Sequence, residues 1–250
     1  MPNHVTNILT FEGDIAEIER MMLEIQDDNQ GLTSIDFNKI IPMPIELHVE
    51  SSNRSEQGLK MYKDFWSVYG VTAVLNAPTN MVDEETILDM LDSYAAENEL
   101  DIELLRLGKQ CYDNIQKYGA PTWYEFRTRH WNTKWEAYGF DYFEDCQDNQ
   151  CKFQTAWSAP HPVIEKLSEM YPDVEINHAW ADENLGCNCG ECDYKGGETI
   201  YEWIPADDSK EAYELSAKIL GYNLGEAGFI FSEESGTYEY HEPDCGMELN

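Results

Sequence analysis

Residues His4–Phe11 read His-Val-Thr-Asn-Ile-Leu-Thr-Phe, a run of β-formers that predicts a strand. Gly13-Asp14 then opens a helix with Asp14 as N-cap, and Ile15, Ile18, Met22 and Ile25 recur at helical spacing as far as about Asp27. Two prolines in Phe37–Pro44 predict an extended segment that turns. From about 45 to 125 the pattern is helical and polar, with Ile87, Leu88 and Leu91 on one side of a helix that starts near Asp83. Cys151–Trp157 alternates as a strand. Val163, Ile164, Leu167 and Met170 give a short amphipathic helix stopped by Pro172, and Val174–Trp180 resumes as a strand. A turn at Gly186–Gly190 precedes another strand at Thr199–Ile204. After Pro205, Ala212, Leu215 and Ile219 predict one more helix, followed by a Gly- and Glu-rich tail.

The order strand, helix, insertion, strand, helix, strands predicts an α+β fold. It fits a split β-α-β core with an antiparallel sheet, a large helical insertion and an acidic C-terminal extension. The expected division is a core over 1–204, with the insertion at about 45–125, and the extension over 205–250.

Charge changes the picture most. Forty-nine acids face 16 Lys and Arg, a formal charge of −33. A magnitude of about 2–8 suffices for solubility in a small domain, and a larger excess destabilises the folded state by self-repulsion. Such a field repels phosphates, which argues against direct binding of nucleic acid or an anionic membrane and favours a basic protein partner. No Lys or Arg occurs between Asp64 and Leu105, whereas Asp83, Glu84, Glu85, Asp89, Asp92, Glu97, Glu99, Asp101 and Glu103 crowd the second half of that stretch. These nine acids, with Glu233 and Glu234 in the tail, are the candidate partner-binding residues; a solvated helix face is the alternative. Residues 205–250 hold eleven acids and two lysines, −9 in all. Phe229, Ile230, Phe231, Tyr238 and Tyr240 predict that this end folds back on the body.

An aromatic content of 12% argues against a disordered chain, and no stretch approaches the roughly 18 apolar residues of a membrane span. Met1–His4 has neither the basic nor the apolar segment of a secretory signal, so the expected location is the cytoplasm. Seven cysteines, an odd number, fit reduced thiols. Trp123–Tyr138 forms the one locally basic, aromatic island; packing groups are the expectation there, in preference to a base-stacking surface.

Three blocks carry a family resemblance. The first is Met1-Pro2-Asn3-His4-Val5-Thr6-Asn7 with Phe37–Pro44. The second is Trp123-Tyr124 leading into His130-Trp131-Asn132-Thr133-Lys134-Trp135. The third runs from Phe153-Gln154-Thr155-Ala156-Trp157-Ser158-Ala159-Pro160 to Tyr171-Pro172 and Ala181–Gly186. In these blocks the chain resembles the Api92-like family with a ferredoxin-like domain, which is found in phages and plasmids. The family-motif positions are Asn7, Trp131, Lys134, Trp135, Trp157, Asp182 and Gly190. Asn132 stands where the family usually has Gly, and Ala159 where it has Pro. The resemblance implies a fold and a mobile-element origin in a bacterial host but no chemistry, since "ferredoxin-like" names strand topology and not an iron–sulfur cluster.

Candidate chemistry is sparse. Cys187-Asn188-Cys189-Gly190-Glu191-Cys192 has a spacing that can offer three thiolates to zinc, with Cys245, Cys146 or Cys151 as a fourth ligand. Free thiols in a hairpin turn are the expectation, and no cofactor. No His-Glu-x-x-His, Gly-x-Gly-x-x-Gly or Walker-type loop occurs. The reading is therefore a non-enzymatic accessory protein. It would bind a host protein with a basic surface, such as a nuclease or defence effector, by presenting acids in place of a nucleic-acid backbone. The alternative is a small-molecule- or zinc-binding module, or an enzyme, built on the Cys187–Cys192 turn and the Trp131–Trp135 island.

Overall fold

A computed structural model of the chain describes residues 3–70, 83–140 and 149–241. The chain divides into two compact units, Met1–Pro42 with His130–Asn250 and the contiguous stretch Met43–Arg129.

The first unit is built on a five-stranded antiparallel sheet. Strand β1 (His4–Glu12) lies between β2 (Gln150–Ala156) and β3 (Glu175–Asp182), and β4 (Cys189–Lys195) and β5 (Glu198–Trp203) follow beyond β3. Both neighbours run antiparallel to β1, with Asn7 opposite Phe153 on one side and Trp180 on the other. β2 and β3 are therefore parallel to each other and need a crossover between them. Helix α7 (His161–Met170) supplies it, which completes the expected split β-α-β. A bridge from Tyr138 to Gln154 extends the sheet beyond β2.

Helix α1 (Ile15–Ile25) starts where predicted. Asp14 accepts from the Ala16 and Glu17 amides, and Ile18, Met21, Met22 and Ile25 form its buried stripe. Within the segment expected to be extended, Phe37–Ile40 instead makes a short helix, α2, capped by Asp36, whose carboxylate accepts from the Asn38 amide. Pro42 lies just past its end, so the prolines stop this turn of helix without preventing it.

The β3 strand has two functional faces because side chains alternate with period two. Trp180 meets His161 of α7, ring centroids 4.6 Å apart. Ala181 points the other way, into a cluster with Cys189, Ala212 and Leu215. The last two belong to α8 (Lys210–Leu220), which is capped by Ser209 and ended by Gly221. The helix predicted inside the C-terminal extension is thus seated on the sheet. Beyond it, β6 (Phe229–Ser232) and β7 (Thr237–Tyr240) form a hairpin. Phe229 and Tyr238 pack on Tyr213 of α8 at 5.2 and 5.8 Å.

One strand departs from expectation. The sequence reads Cys187–Cys192 as a turn, yet the chain becomes strand β4 from Cys189 onward. The residues of β4 include Gly, Glu, Asp and Lys, which are poor strand formers, so pairing with β3 and β5 overrides local preference. Gly190 has a specific role there. Paired opposite Trp180, it lies under the indole, and a Cβ on it would come within 2.4 Å of the ring.

The second unit is helical. It contains α3 (Asn53–Phe65), α4 (Glu84–Glu97), α5 (Ile102–Tyr118) and α6 (Trp123–His130), the last ending at the unit boundary. Its core groups Tyr62, Phe65, Leu91, Ala95 and Leu105. α3 and α5 cross at a pair of glycines; a Cβ on Gly108 would lie 1.9 Å from the Gly58 carbonyl oxygen.

Candidate functional site

Of the motif positions, Lys134, Trp135, Trp157 and Asp182 come together at one end of the sheet, around the turn that follows β2. Trp157 adopts φ 78°, a left-handed conformation that is strained for a bulky residue. Two bonds hold it there. The Trp157 amide donates to Asn3 O at 3.0 Å, and Asn188 Nδ2 donates to Trp157 O at 3.0 Å. Asn188 (φ 44°) and Asn132 (φ 59°) are also left-handed, a region that asparagine enters more readily than most residues.

Asp182 organises this turn from beneath. It is only 4% exposed. Its Oδ2 accepts from Asn188 Nδ2 at 3.2 Å, and its Oδ1 from Asn3 Nδ2 at 3.2 Å and the Asn184 amide at 2.9 Å. Its carboxylate is committed to position and not to chemistry. On the other side, Ser158 Oγ donates to Asn132 O at 2.5 Å, Asn132 Nδ2 to Ala159 O at 2.9 Å, and Thr133 Oγ1 to Ala156 O at 2.8 Å. Segment 132–133 is therefore zipped to 156–159.

The zipper presents two indoles to solvent with a cation between them. Trp135 is 36% exposed and Trp157 is 41% exposed. Lys134 Nζ lies 5.4 Å from the Trp135 ring centroid and 5.0 Å from that of Trp157. Trp135 also meets Tyr138 edge-on at 6.0 Å, and the Tyr138 hydroxyl is hydrogen-bonded to His4 Nδ1 at 2.7 Å. Burial, with Glu183 nearby, pushes the Tyr138 phenol up to about 12. Trp131, by contrast, is fully buried and donates from Nε1 to Ile41 O at 3.0 Å. The aromatic island is thus divided, with Trp131 in the core and Trp135 at the surface.

Asn7 lies deeper, on the central strand. Its Nδ2 donates to Val5 O at 3.0 Å and to Thr155 Oγ1 at 2.9 Å, which leaves Oδ1 as an acceptor for His178 Nε2 at 3.1 Å. That assigns the proton of neutral His178 to Nε2. Its Nδ1 has no hydrogen-bond partner among the described residues. Burial, reinforced by His161, holds His178 well below the usual histidine range. His161 is lowered by burial too, with Glu202 opposing, and its Nδ1 meets the Tyr194 hydroxyl at 2.9 Å.

The thiols do not converge. Cys189 and Cys192 are three residues apart on one strand and so project from opposite faces. Cys189 Sγ donates to Ala212 O of α8 at 3.5 Å, while Cys192 lies beside Tyr194, its thiol raised by burial. Cys187 lies in the turn, 3.9 Å from Asp208 Oδ1, its thiol raised by burial and then by Asp208, Asp207 and Asp182. Among the described residues no group of three or more His, Cys, Asp or Glu is placed to hold a metal ion. Cys187, Cys189 and Cys192 belong to no such group among the described residues, and Cys245 and Cys146, named with them as zinc ligands, lie outside the described residues.

The nine acids of the insertion are all exposed, but the fold sorts them. Asp83 caps α4 by accepting from the Thr86 amide, and Asp101 caps α5 by accepting from the Glu103 and Leu104 amides. Bases of α3 and α5 pair with several of the nine. Arg106 pairs with Asp92 at 2.9 Å and Glu103 at 3.3 Å, Lys109 with Glu84 at 3.3 Å, and Arg54 with Asp101 at 3.4 Å. Glu85, Asp89, Glu97 and Glu99 have no ion pair among the described residues. Glu233 and Glu234 are exposed at the tip of the β6–β7 hairpin.

Sequence reasoning placed Trp135, Trp157 and Asp182 by motif and quoted Asn3, Asn132, Ser158 and Asn188 in the same segments, without the hydrogen bonds by which these four hold the turn. The available signal was that asparagines, here Asn132 and Asn188, enter left-handed backbone readily and bond to nearby main chain.

Among the described residues no helix is long and apolar enough to cross a membrane. No curated protein matches the chain. Among solved structures, a crystal structure of a protein api92 from Yersinia pseudotuberculosis is similar at TM-score 0.38 and 11% identity, over 82% of this chain and 99% of that one. Residues 130–223 match the family model described as the ferredoxin-like domain in Api92-like protein, a stretch that runs from the Trp135–Trp157 turn through β5 to the end of α8.

Proposed function

We propose that this protein is a non-enzymatic accessory protein of a phage or plasmid that binds a basic host protein, offering carboxylates where that partner otherwise holds a nucleic-acid backbone. Duplex DNA carries about one charge per 1.7 Å of axis, and a carboxylate-studded surface competes for the same basic groove. The observation that carries this reading is the set Glu85, Asp89, Glu97 and Glu99, exposed and without an ion-pair partner among the described residues. Glu85 and Asp89 are four apart on α4, a like-charge spacing that costs a helix about 0.2–0.5 kcal/mol. A surface that lowers its own stability is explained by an external cation. Nucleases and other nucleic-acid-binding defence proteins are the partner class with that surface.

The test is affinity purification from host extract at low ionic strength, repeated with competing DNA and with the E85Q/D89N/E97Q/E99Q variant. The expected result is a basic, nucleic-acid-binding protein that is displaced by DNA and weakened by the four substitutions. Recovery of acidic or neutral partners only, or of a basic one indifferent to both DNA and the substitutions, refutes the proposal.

A further inference from the structure

Lys134 is held by indoles although the chain offers 49 acids. Arg106 and Lys109 pair with carboxylates; Lys134, like Lys60, Lys63 and Lys152, has no ion pair among the described residues, and what sets it apart is its place over two indoles. Its ammonium lies over both Trp135 and Trp157, where two ring quadrupoles attract it. Both indoles stay open to solvent, and Trp157 is kept in a strained backbone conformation by bonds from its amide to Asn3 and from Asn188 to its carbonyl. Strain that the surroundings actively maintain at an exposed tryptophan marks a recognition surface more readily than a packing defect.

The neighbourhood is acidic. Asp207 accepts from the Asn188 amide at 3.3 Å, Asp208 lies 3.9 Å from Cys187 Sγ, and exposed Glu183 bonds through its amide to His4 O at 2.9 Å. Two exposed indoles that already hold a cation, on a turn near the acids Glu183, Asp207 and Asp208, are the chemistry that recognises a cationic side chain. A guanidinium suits it better than an ammonium, being planar, more weakly hydrated and able to stack on an aromatic face. We infer that the Trp135–Trp157 pair is a seat for an arginine side chain of a basic protein partner, and that Lys134 occupies the seat in the unbound protein. This rests on the basic-partner reading above and adds a contact point separate from the acids of α4.

The seat makes a distinctive prediction, because removing a positive charge from it should tighten binding of a cation. The probe is an octapeptide of alternating glycine and arginine, titrated into protein labelled with ¹⁵N at its tryptophan indoles. Saturable shifts of the Trp135 and Trp157 indole N–H signals are expected. Lys134→Met should lower the Kd about two- to five-fold, the scale of one exposed cation–π contact. Trp157→Leu should raise it by at least as much, with circular dichroism and melting used to confirm that the variant is folded. Unmoved indole signals at saturation, or a Lys134→Met variant that binds equally or more weakly, overturns the inference. Loss of peptide binding in E85Q/D89N/E97Q/E99Q with no effect of Trp157→Leu removes the seat and leaves the acidic-surface reading standing. No binding of the peptide to any form of the protein removes both.

Discussion

Asn188 is the residue on which the Trp157 turn depends, and replacing it separates two energies that act in opposite directions. Asn188→Ala removes one hydrogen bond to a neutral carbonyl, Trp157 O at 3.0 Å, and one to a carboxylate, Asp182 Oδ2 at 3.2 Å. Net values are about 0.5–1.5 kcal/mol for the first and about 1.5–3 kcal/mol for the second, and Asp182 is too buried for water to replace the bond freely. Asn188 itself is only half-buried, which admits some solvent and places the loss at the lower end, about 2–3 kcal/mol. Asn188→Gly loses the same bonds but relieves the left-handed backbone at φ 44°, where a residue with a Cβ is penalised by roughly 1–2 kcal/mol. Glycine should therefore be the milder substitution by about 1 kcal/mol, although it is normally the more disruptive one. Urea unfolding followed by tryptophan fluorescence measures both, with stability changes read at constant m. Equal destabilisation by the two variants, or a loss below about 1 kcal/mol for alanine, would refute the account of how this turn is held.

Two further outcomes follow from other parts of the structure. Gly108→Ala places a methyl 1.9 Å from Gly58 O, so α3 and α5 must separate; the expected cost is about 1–3 kcal/mol or more, and a melting temperature unchanged from wild type would count against the crossing. His178 stays neutral in the fold while the unfolded chain protonates near 6.5, so below that pH the unfolded state binds the extra proton. Stability should be intact above about pH 6.5 and fall as pH drops below it, by up to about 1.4 kcal/mol per unit. His178→Gln should flatten that slope in urea titrations between pH 5 and 7, and a slope equal to wild type would exclude His178 as its source.

Strong periodicity makes most elements legible in the sequence. β1, α1, α7 and β3 announce themselves by apolar spacing, and the split β-α-β follows from their order. What stayed hidden was set by partners distant along the chain. β4 has too few β-formers to be read locally and exists because β3 and β5 supply hydrogen bonds on both sides. The fate of the tryptophans was equally non-local. Trp131 and Trp135 are four residues apart in one motif, yet one is buried and the other exposed, because Asn132 turns left-handed between them. The distinction between a core aromatic and a recognition aromatic was written in asparagine backbone chemistry, which composition does not register.

The same sorting applies to charge, and it narrows what −33 means. Asp14, Asp83 and Asp101 are helix caps, and Asp182 is a buried scaffold; each would be acidic or amide-bearing in a protein of any net charge. Glu84, Asp92 and Glu103 are met by Lys109 and Arg106, in exposed pairs worth about 0–1 kcal/mol each. Neither group demands an external partner. Among the acids in neither group are Glu85, Asp89, Glu97 and Glu99 on the helical unit, Glu183, Asp207 and Asp208 near the Trp157 turn, and Glu233 and Glu234 at the hairpin tip, none with an ion pair among the described residues. Stability alone favours neutralising these residues, and their presence in a chain already so acidic is what a basic partner would account for.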